Sequence, residues 1–243
     1  MKRLFTGLTD PGLVRSANQD AYYIDPEGQF FIVADGMGGH AGGQEASRIA
    51  TEVIRDYIAA RWETPDESSQ LLQESILKAN AAILQDQMAH PERGDMGTTV
   101  VVLMFRDDTS WCAHIGDSRL YRLRGAKLDQ ITEDHTWVAR AMQIGDLSAA
   151  QARVHPWRHI LSKCLGREDL KQVDISSFDY QPSDRLLLCS DGLTEELSDH
   201  LIASQLKTIR SCDKVAEALI NAAKEKGGRD NITVVIVADD PKG

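Results

Sequence analysis

A chain of 243 residues, 42% of them hydrophobic, carries enough apolar material for one large domain or two small ones, which excludes wholesale disorder. Its 27 basic and 37 acidic residues leave a formal charge of −10, which opposes nonspecific binding to nucleic acid or to an anionic membrane. The four cysteines, Cys112, Cys164, Cys189 and Cys212, form no Cys-x-x-Cys pair, so neither a zinc knuckle nor a disulfide framework is indicated, and a cytoplasmic setting is expected.

Residues 1–8 have a basic start but no apolar core of a signal segment, and no later stretch approaches a membrane-length run of about 18 apolar residues. Residues 4–9, 21–25 and 30–34 read as short strands, separated by the turn sequences Asp10-Pro11-Gly12 and Pro26-Glu27-Gly28. After the glycine-rich loop, Ala46, Ile49, Ala50, Val53, Ile54, Tyr57 and Ile58 keep one apolar face at helical spacing. Thr64-Pro65-Asp66 ends that helix, and Leu72, Ile76, Ala79 and Ile83 mark a second one that stops before His90-Pro91. Residues 98–105, 110–115, 119–123 and 127–131 form a meander whose short links predict antiparallel pairing. Residues 134–167 are less regular, with an amphipathic piece around Trp137, Val138 and Ala141, and predict a mobile insertion. Strands resume at 173–178 and 185–190, helices are expected over 193–206 and 213–226, and 232–237 is a last buried strand. With no repeat or linker, residues 1–243 read as a single domain. Strand runs alternating with helix pairs favour an α+β sheet sandwich over a doubly wound parallel sheet.

The chemistry is concentrated in aspartates at predicted strand ends. The run Phe30-Phe31-Ile32-Val33-Ala34 leads into Asp35-Gly36-Met37-Gly38-Gly39-His40, and Leu186-Leu187-Leu188-Cys189-Ser190-Asp191-Gly192 repeats the pattern. Asp230 precedes the last strand, and Asp20 and Asp117 adjoin two more. Five carboxylates converging on one sheet edge repel one another unless a cation joins them, and an oxygen donor set suits hard Mg²⁺ or Mn²⁺. A dinucleotide fingerprint is the closest rival, since Gly36-x-Gly38-x-x-Ala41 follows a strand and Asp56 comes 20 residues on. It fails because Asp35 would face the pyrophosphate and Asp56 lies inside an amphipathic helix. No Walker loop, aspartyl-nucleophile pair or cysteine-centred anion loop is present.

The segments Arg15-x-x-Asn18-Gln19-Asp20, Val33-Ala34-Asp35-Gly36-Met37-Gly38-Gly39-His40, Met96-Gly97-Thr98-Thr99, Gly116-Asp117-Ser118-Arg119, Ser190-Asp191-Gly192 and Gly228-Arg229-Asp230-Asn231 resemble the PPM family, the metal-dependent 2C-type protein phosphatases, in compact bacterial form. The resemblance implies a four-layer αββα fold, an antiparallel β-sandwich flanked by helix pairs, with a flap insertion at about 145–166. It implies hydrolysis of phosphoserine and phosphothreonine by a hydroxide held between two metal ions. By position, Asp35 bridges two Mg²⁺ or Mn²⁺ ions, Asp20 and the Gly36 carbonyl hold the second, Asp191 and Asp230 hold the first, and Asp117 with Asp191 matches a weaker third site. Arg15 matches the phosphate-binding arginine, a role that suits a guanidinium fork.

His40 is a candidate general acid for the alkoxide leaving group. Eukaryotic relatives carry their histidine directly after Asp-Gly, where Met37 stands here, so a metal-bound water and a structural histidine remain alternatives. His114 is expected in the core, and His135, His155 and His159 fall in the insertion with no ligand spacing tied to the aspartates. Asn18 and Asn231 are expected to organise backbone around the ligands. The implied partners are phosphorylated proteins and an opposing serine/threonine kinase pathway, for a monomer without nucleic acid or membrane attachment. A pseudophosphatase that only binds phosphoproteins is the non-enzyme alternative.

Overall fold

The computed structural model describes residues 3–39 and 41–239. In chain order, the described residues form β1 (Arg3–Asp10), β2 (Asp20–Ile24), β3 (Phe30–Met37), α1 (Gly42–Ala60), α2 (Ser68–Ala89), β4 (Gly97–Thr98), β5 (Val100–Arg106), β6 (Thr109–Ile115), β7 (Arg119–Arg124) and β8 (Lys127–Gln130). There follow α3 (Trp137–Gln143), α4 (Ala149–Val154), β9 (Asp174–Phe178), β10 (Arg185–Cys189), α5 (Asp191–Thr194), α6 (Asp199–Thr208), α7 (Cys212–Lys226) and β11 (Ile232–Asp239). Among these residues, no helix is long and apolar enough to cross a membrane.

Two antiparallel sheets result, ordered β1-β11-β10-β7-β8 and β2-β3-β5-β6-β9, with β4 paired to the end of β3. Their central strands, β3, β5, β10 and β11, are apolar on both sides because each sheet is covered twice. Along β3, Phe31 and Val33 face the other sheet with Val101, Leu103, Leu186, Leu188, Val235 and Val237, while Phe30 and Ile32 pack outward against α1 and α2. On the second sheet, Leu187, Cys189, Val234 and Ile236 pack outward against α6 and α7. The layers are therefore helix pair, sheet, sheet, helix pair. Each fully buried Val, Leu, Ile or Phe contributes about 1.5–3 kcal/mol, so both faces of these strands hold the layers together.

Three expectations are corrected. Asp35 does not end its strand: β3 runs on to Met37 because β4 pairs Gly36 with Thr98 and Met37 with Gly97. The helix expected over 193–206 is two pieces, α5 and α6, because Ser198 caps a new start by accepting the Leu201 N–H at 3.4 Å. The insertion is less irregular than its composition suggests. The amphipathic piece expected around Trp137 is α3, capped by Thr136, and beyond it Ser148 with Gln151 forms a capping box at the start of α4.

Candidate metal centre

The β2–β3 register places Asp20 directly opposite Asp35, a like-charged pair that a sheet does not favour by itself. The backbone there is held from every side. The Asp35 N–H donates to Thr99 Oγ1 at 3.1 Å, and its carbonyl accepts from the Thr99 N–H and the Thr98 hydroxyl, both at 2.9 Å. Position 36 must be glycine, since a β-carbon there would lie 2.0 Å from the Gly43 carbonyl oxygen and 2.6 Å from that of Gln19. The first turn of α1 is thus packed against the end of β3.

Asp20 joins the two sheets. Its Oδ2 accepts the Ser190 hydroxyl at 2.7 Å and the Thr233 hydroxyl at 2.6 Å, from the ends of β10 and β11. Because Thr233 gives its proton to Asp20, it accepts from Thr9 at 2.6 Å, and Thr9 accepts from the Asn18 amide at 2.8 Å. Asn231 Oδ1 takes the Gln19 N–H at 2.8 Å, and its amide donates to the carbonyls of Pro11 and Ala17. Both asparagines organise backbone beside the aspartates, as expected. The turn after β6 brings Asp117 in from the same side, with the hydroxyls of Ser118 and Thr99 2.7 Å apart.

Asp35 stands at the electrostatic centre of the group. Burial pushes its carboxyl well above the usual carboxylate range, and Asp20, Asp191, Asp117 and Asp230 push it further. Asp117 is raised in the same way, by burial and then by Asp191 and Asp134. Burial lifts Asp20 to about 6 and Asp191 to about 7, with Glu195 and Asp230 adding to the latter. Asp20 Oδ1 is buried and, among the described residues, accepts no hydrogen bond. An orphaned buried oxygen within a set of mutually repelling carboxylates fits a hard divalent cation. On the rim, Arg15 Nη2 donates to Asp230 Oδ2 at 2.6 Å from a side chain 54% exposed, and this bond raises its already high pKa.

The fold therefore gathers Arg15, Asp20, Asp35, Gly36, Asp117, Asp191 and Asp230 at one end of the sandwich, whereas His40 lies outside the described residues. His114 is buried as expected, bonded through Nε2 to the Glu133 carbonyl at 2.8 Å. Sequence reasoning gave no role to the hydroxyls of Ser190, Thr98, Thr99 and Ser118, although each lies in a segment that carries the family resemblance, and it missed Thr233, three residues after Asp230. It also set His159 apart from the aspartates. In the fold, His159 Nδ1 meets Glu195 Oε1 at 2.6 Å, and both lie within 4.8 Å of an Asp191 oxygen. Glu195 is one helical turn after Asp191, a spacing that could have suggested it. A cavity of about 650 Å³ runs from Asp117 and Asp191 beneath α3 and α4.

Comparison with known proteins agrees with this geometry. The family model described as protein phosphatase 2C matches residues 14–232. The serine/threonine phosphatase stp of Listeria monocytogenes is 36% identical over 241 residues, spanning 96% of this chain and 94% of stp. The protein phosphatase PhpP of Streptococcus pneumoniae is 36% identical over 236 residues, 95% of each chain. The crystal structure of Mycobacterium tuberculosis PstP/Ppp superposes with a TM-score of 0.87 at 34% identity, covering 98% of this chain and 99% of that one. The PstP catalytic domain solved with two manganese ions gives 0.88 at 31%, with the same coverage. The chain belongs to the protein phosphatase 2C family and is a protein phosphatase of the compact bacterial type.

Proposed function

We propose that this chain is a single catalytic domain that hydrolyses phosphoserine and phosphothreonine in proteins with Mg²⁺ or Mn²⁺. Two core ions would be held by Asp20, Asp35, the Gly36 carbonyl, Asp191 and Asp230, and a weaker third by Asp117 with Asp191. The observation that carries this reading is the convergence of five carboxylates, one with an orphaned buried oxygen, beside a rim arginine. Divalent cations supply Lewis acidity that activates water towards phosphorus and offset the carboxylate charge.

The remaining work falls to the chain. Arg15 pairs with phosphate oxygens and orients the monoester, its half-exposed position leaving room for that contact. No cysteine nucleophile competes, since burial holds the Cys112 and Cys189 thiols at about 12. His40 is the candidate donor to the serine alkoxide. The flap, residues 145–166, grips the peptide through Trp157, which is 54% exposed and packs edge-on against Trp137, and through Arg158. The setting is a cytoplasmic monomer opposing a serine/threonine kinase. A phosphoserine peptide tests the activity: turnover should appear with Mn²⁺, vanish with a chelator and vanish in Asp35→Ala. Metal-independent turnover, or an active Asp35→Ala enzyme, would overturn it.

A further inference from the structure

His135 sits where the Asp117 turn meets the returning end of the flap segment. Its N–H donates to the Gly116 carbonyl at 2.9 Å, and its own carbonyl accepts the Ser162 N–H at 2.8 Å. Its ring joins in, with Nδ1 accepting the Gly116 N–H at 3.0 Å. Gly116 thus exchanges two hydrogen bonds with this one residue. Gly116 has φ of +101°, and a β-carbon on it would lie 2.6 Å from Thr99 Cγ2, so the turn is held from outside. The next residue is Asp117.

The other ring nitrogen, Nε2, bonds Asp174 Oδ2, which also meets Lys163 Nζ at 3.0 Å. Only an unprotonated ring nitrogen accepts an amide N–H, so the ring proton sits on Nε2 and is donated to Asp174. His114 packs face to face on the ring, with centroids 4.7 Å apart and planes 9° from parallel. Burial, His114 and Lys163 all favour the neutral ring. The atoms of His114, His135 and Asp174 approach within 4.8 Å, as a metal site requires. A cation is nevertheless a poor occupant. Imidazole lone pairs lie in the ring plane, two parallel stacked rings cannot aim them at one point, and both His135 nitrogens are already engaged.

We propose that His135 is a positioning residue for Asp117: Asp174 keeps the ring proton on Nε2, which leaves Nδ1 to hold the Gly116 N–H and so the turn that presents the Asp117 carboxylate. The proposal rests on the reading of Asp117 as ligand of a third cation. The logic is that of the aspartate in a catalytic triad, which selects a histidine tautomer without itself reacting. Here the histidine serves a backbone amide, and through it a carboxylate.

Two substitutions separate positioning from bulk packing. In His135→Asn, Oδ1 takes the place of Nδ1 and can still accept from Gly116, although the side chain no longer reaches Asp174. In His135→Leu the acceptor is gone. On a phosphoserine peptide, His135→Leu should lower kcat roughly tenfold or more with little change in KM, and should weaken the weakest of the Mn²⁺ sites in calorimetry. His135→Asn should recover most of both. Two readouts need no metal: the Gly116 amide should exchange quickly in His135→Leu and stay protected in His135→Asn, and imidazole ¹⁵N shifts of the wild type should report the Nε2–H tautomer. A wild-type ring protonated at Nδ1, or equal losses in both variants with Gly116 still protected, would overturn the proposal, and so would unchanged kcat in His135→Leu. Wild-type protein that binds no third cation would instead overturn the reading of Asp117, with the exchange data judging the hydrogen bonds alone. If His135→Leu fails to fold, the wild-type tautomer and the His135→Asn exchange still decide.

Discussion

Replacing Asp191 by Asn should stabilise the metal-free protein at alkaline pH while abolishing turnover. The Asp191 carboxyl is lifted from 3.8 to about 7 by burial, and then by Glu195 and Asp230. The folded protein therefore keeps a proton that the unfolded chain has given up. Stability falls as pH rises between 3.8 and about 7, and above that the ionised group costs about 4 kcal/mol at most. Asn has the same shape and no such cost. In chelator at a pH of about 8, Asp191→Asn should resist urea better than the wild type by up to about 4 kcal/mol and melt higher by about 2–4 °C for each of these. At a pH of about 3 the difference should largely disappear, because folded Asp191 is then protonated and unfolded Asp191 mostly so. Manganese acts in the opposite sense. A cation at a hundred times its Kd stabilises the wild type by about 2.7 kcal/mol, and the variant, lacking a ligand, gains less. Urea denaturation at both pH values, with chelator and with Mn²⁺, measures all four terms. A variant less stable than the wild type in chelator at the higher pH would refute the reasoning.

Other consequences are independent of that one. Gly36→Ala would set a β-carbon 2.0 Å from the Gly43 oxygen, so β3 and α1 must part by about 1 Å; turnover should fall roughly a hundredfold, and native kcat would contradict the close packing. Arg15→Ala should mainly raise KM for monoesters, because its charge meets phosphate in ground and transition states alike, and a loss confined to kcat would reassign it. Trp157→Ala and Arg158→Ala should each lower kcat/KM for a phosphoprotein roughly tenfold, about 1.4 kcal/mol, and that for 4-nitrophenyl phosphate far less. Parallel losses on both substrates would make these flap residues structural. His40→Ala should impair phosphoserine peptides more than 4-nitrophenyl phosphate, whose leaving group departs without a proton, and equal losses would end the general-acid role.

The layers of the fold were legible because burial on both faces makes each central strand a continuous apolar run, as in Val100–Arg106 and Ile232–Asp239. The aspartates were legible because each adjoins such a run. What the sequence hid is non-local. Nothing near Ser190 or Thr233 announces that both hydroxyls end on Asp20, 170 and 213 residues away. The continuation of β3 through Asp35 and Gly36 depends on β4, a two-residue strand too short to stand out. In the flap, α4 was hidden for another reason: it is short, and its cap at Ser148 is a stronger signal than its apolar periodicity. His159 was set aside on spacing alone, yet it reaches Glu195 because the flap folds back over α5.

The central claim is that this carboxylate cluster is a divalent metal centre built around Asp35. Calorimetric titration of the metal-free protein with Mn²⁺, run beside Asp35→Ala, tests it most directly. The wild type should bind two ions tightly and a third more weakly, and Asp35→Ala should lose the tight pair while remaining folded. A wild type that takes up no divalent ion, or an Asp35→Ala protein that binds as the wild type does, would contradict the account.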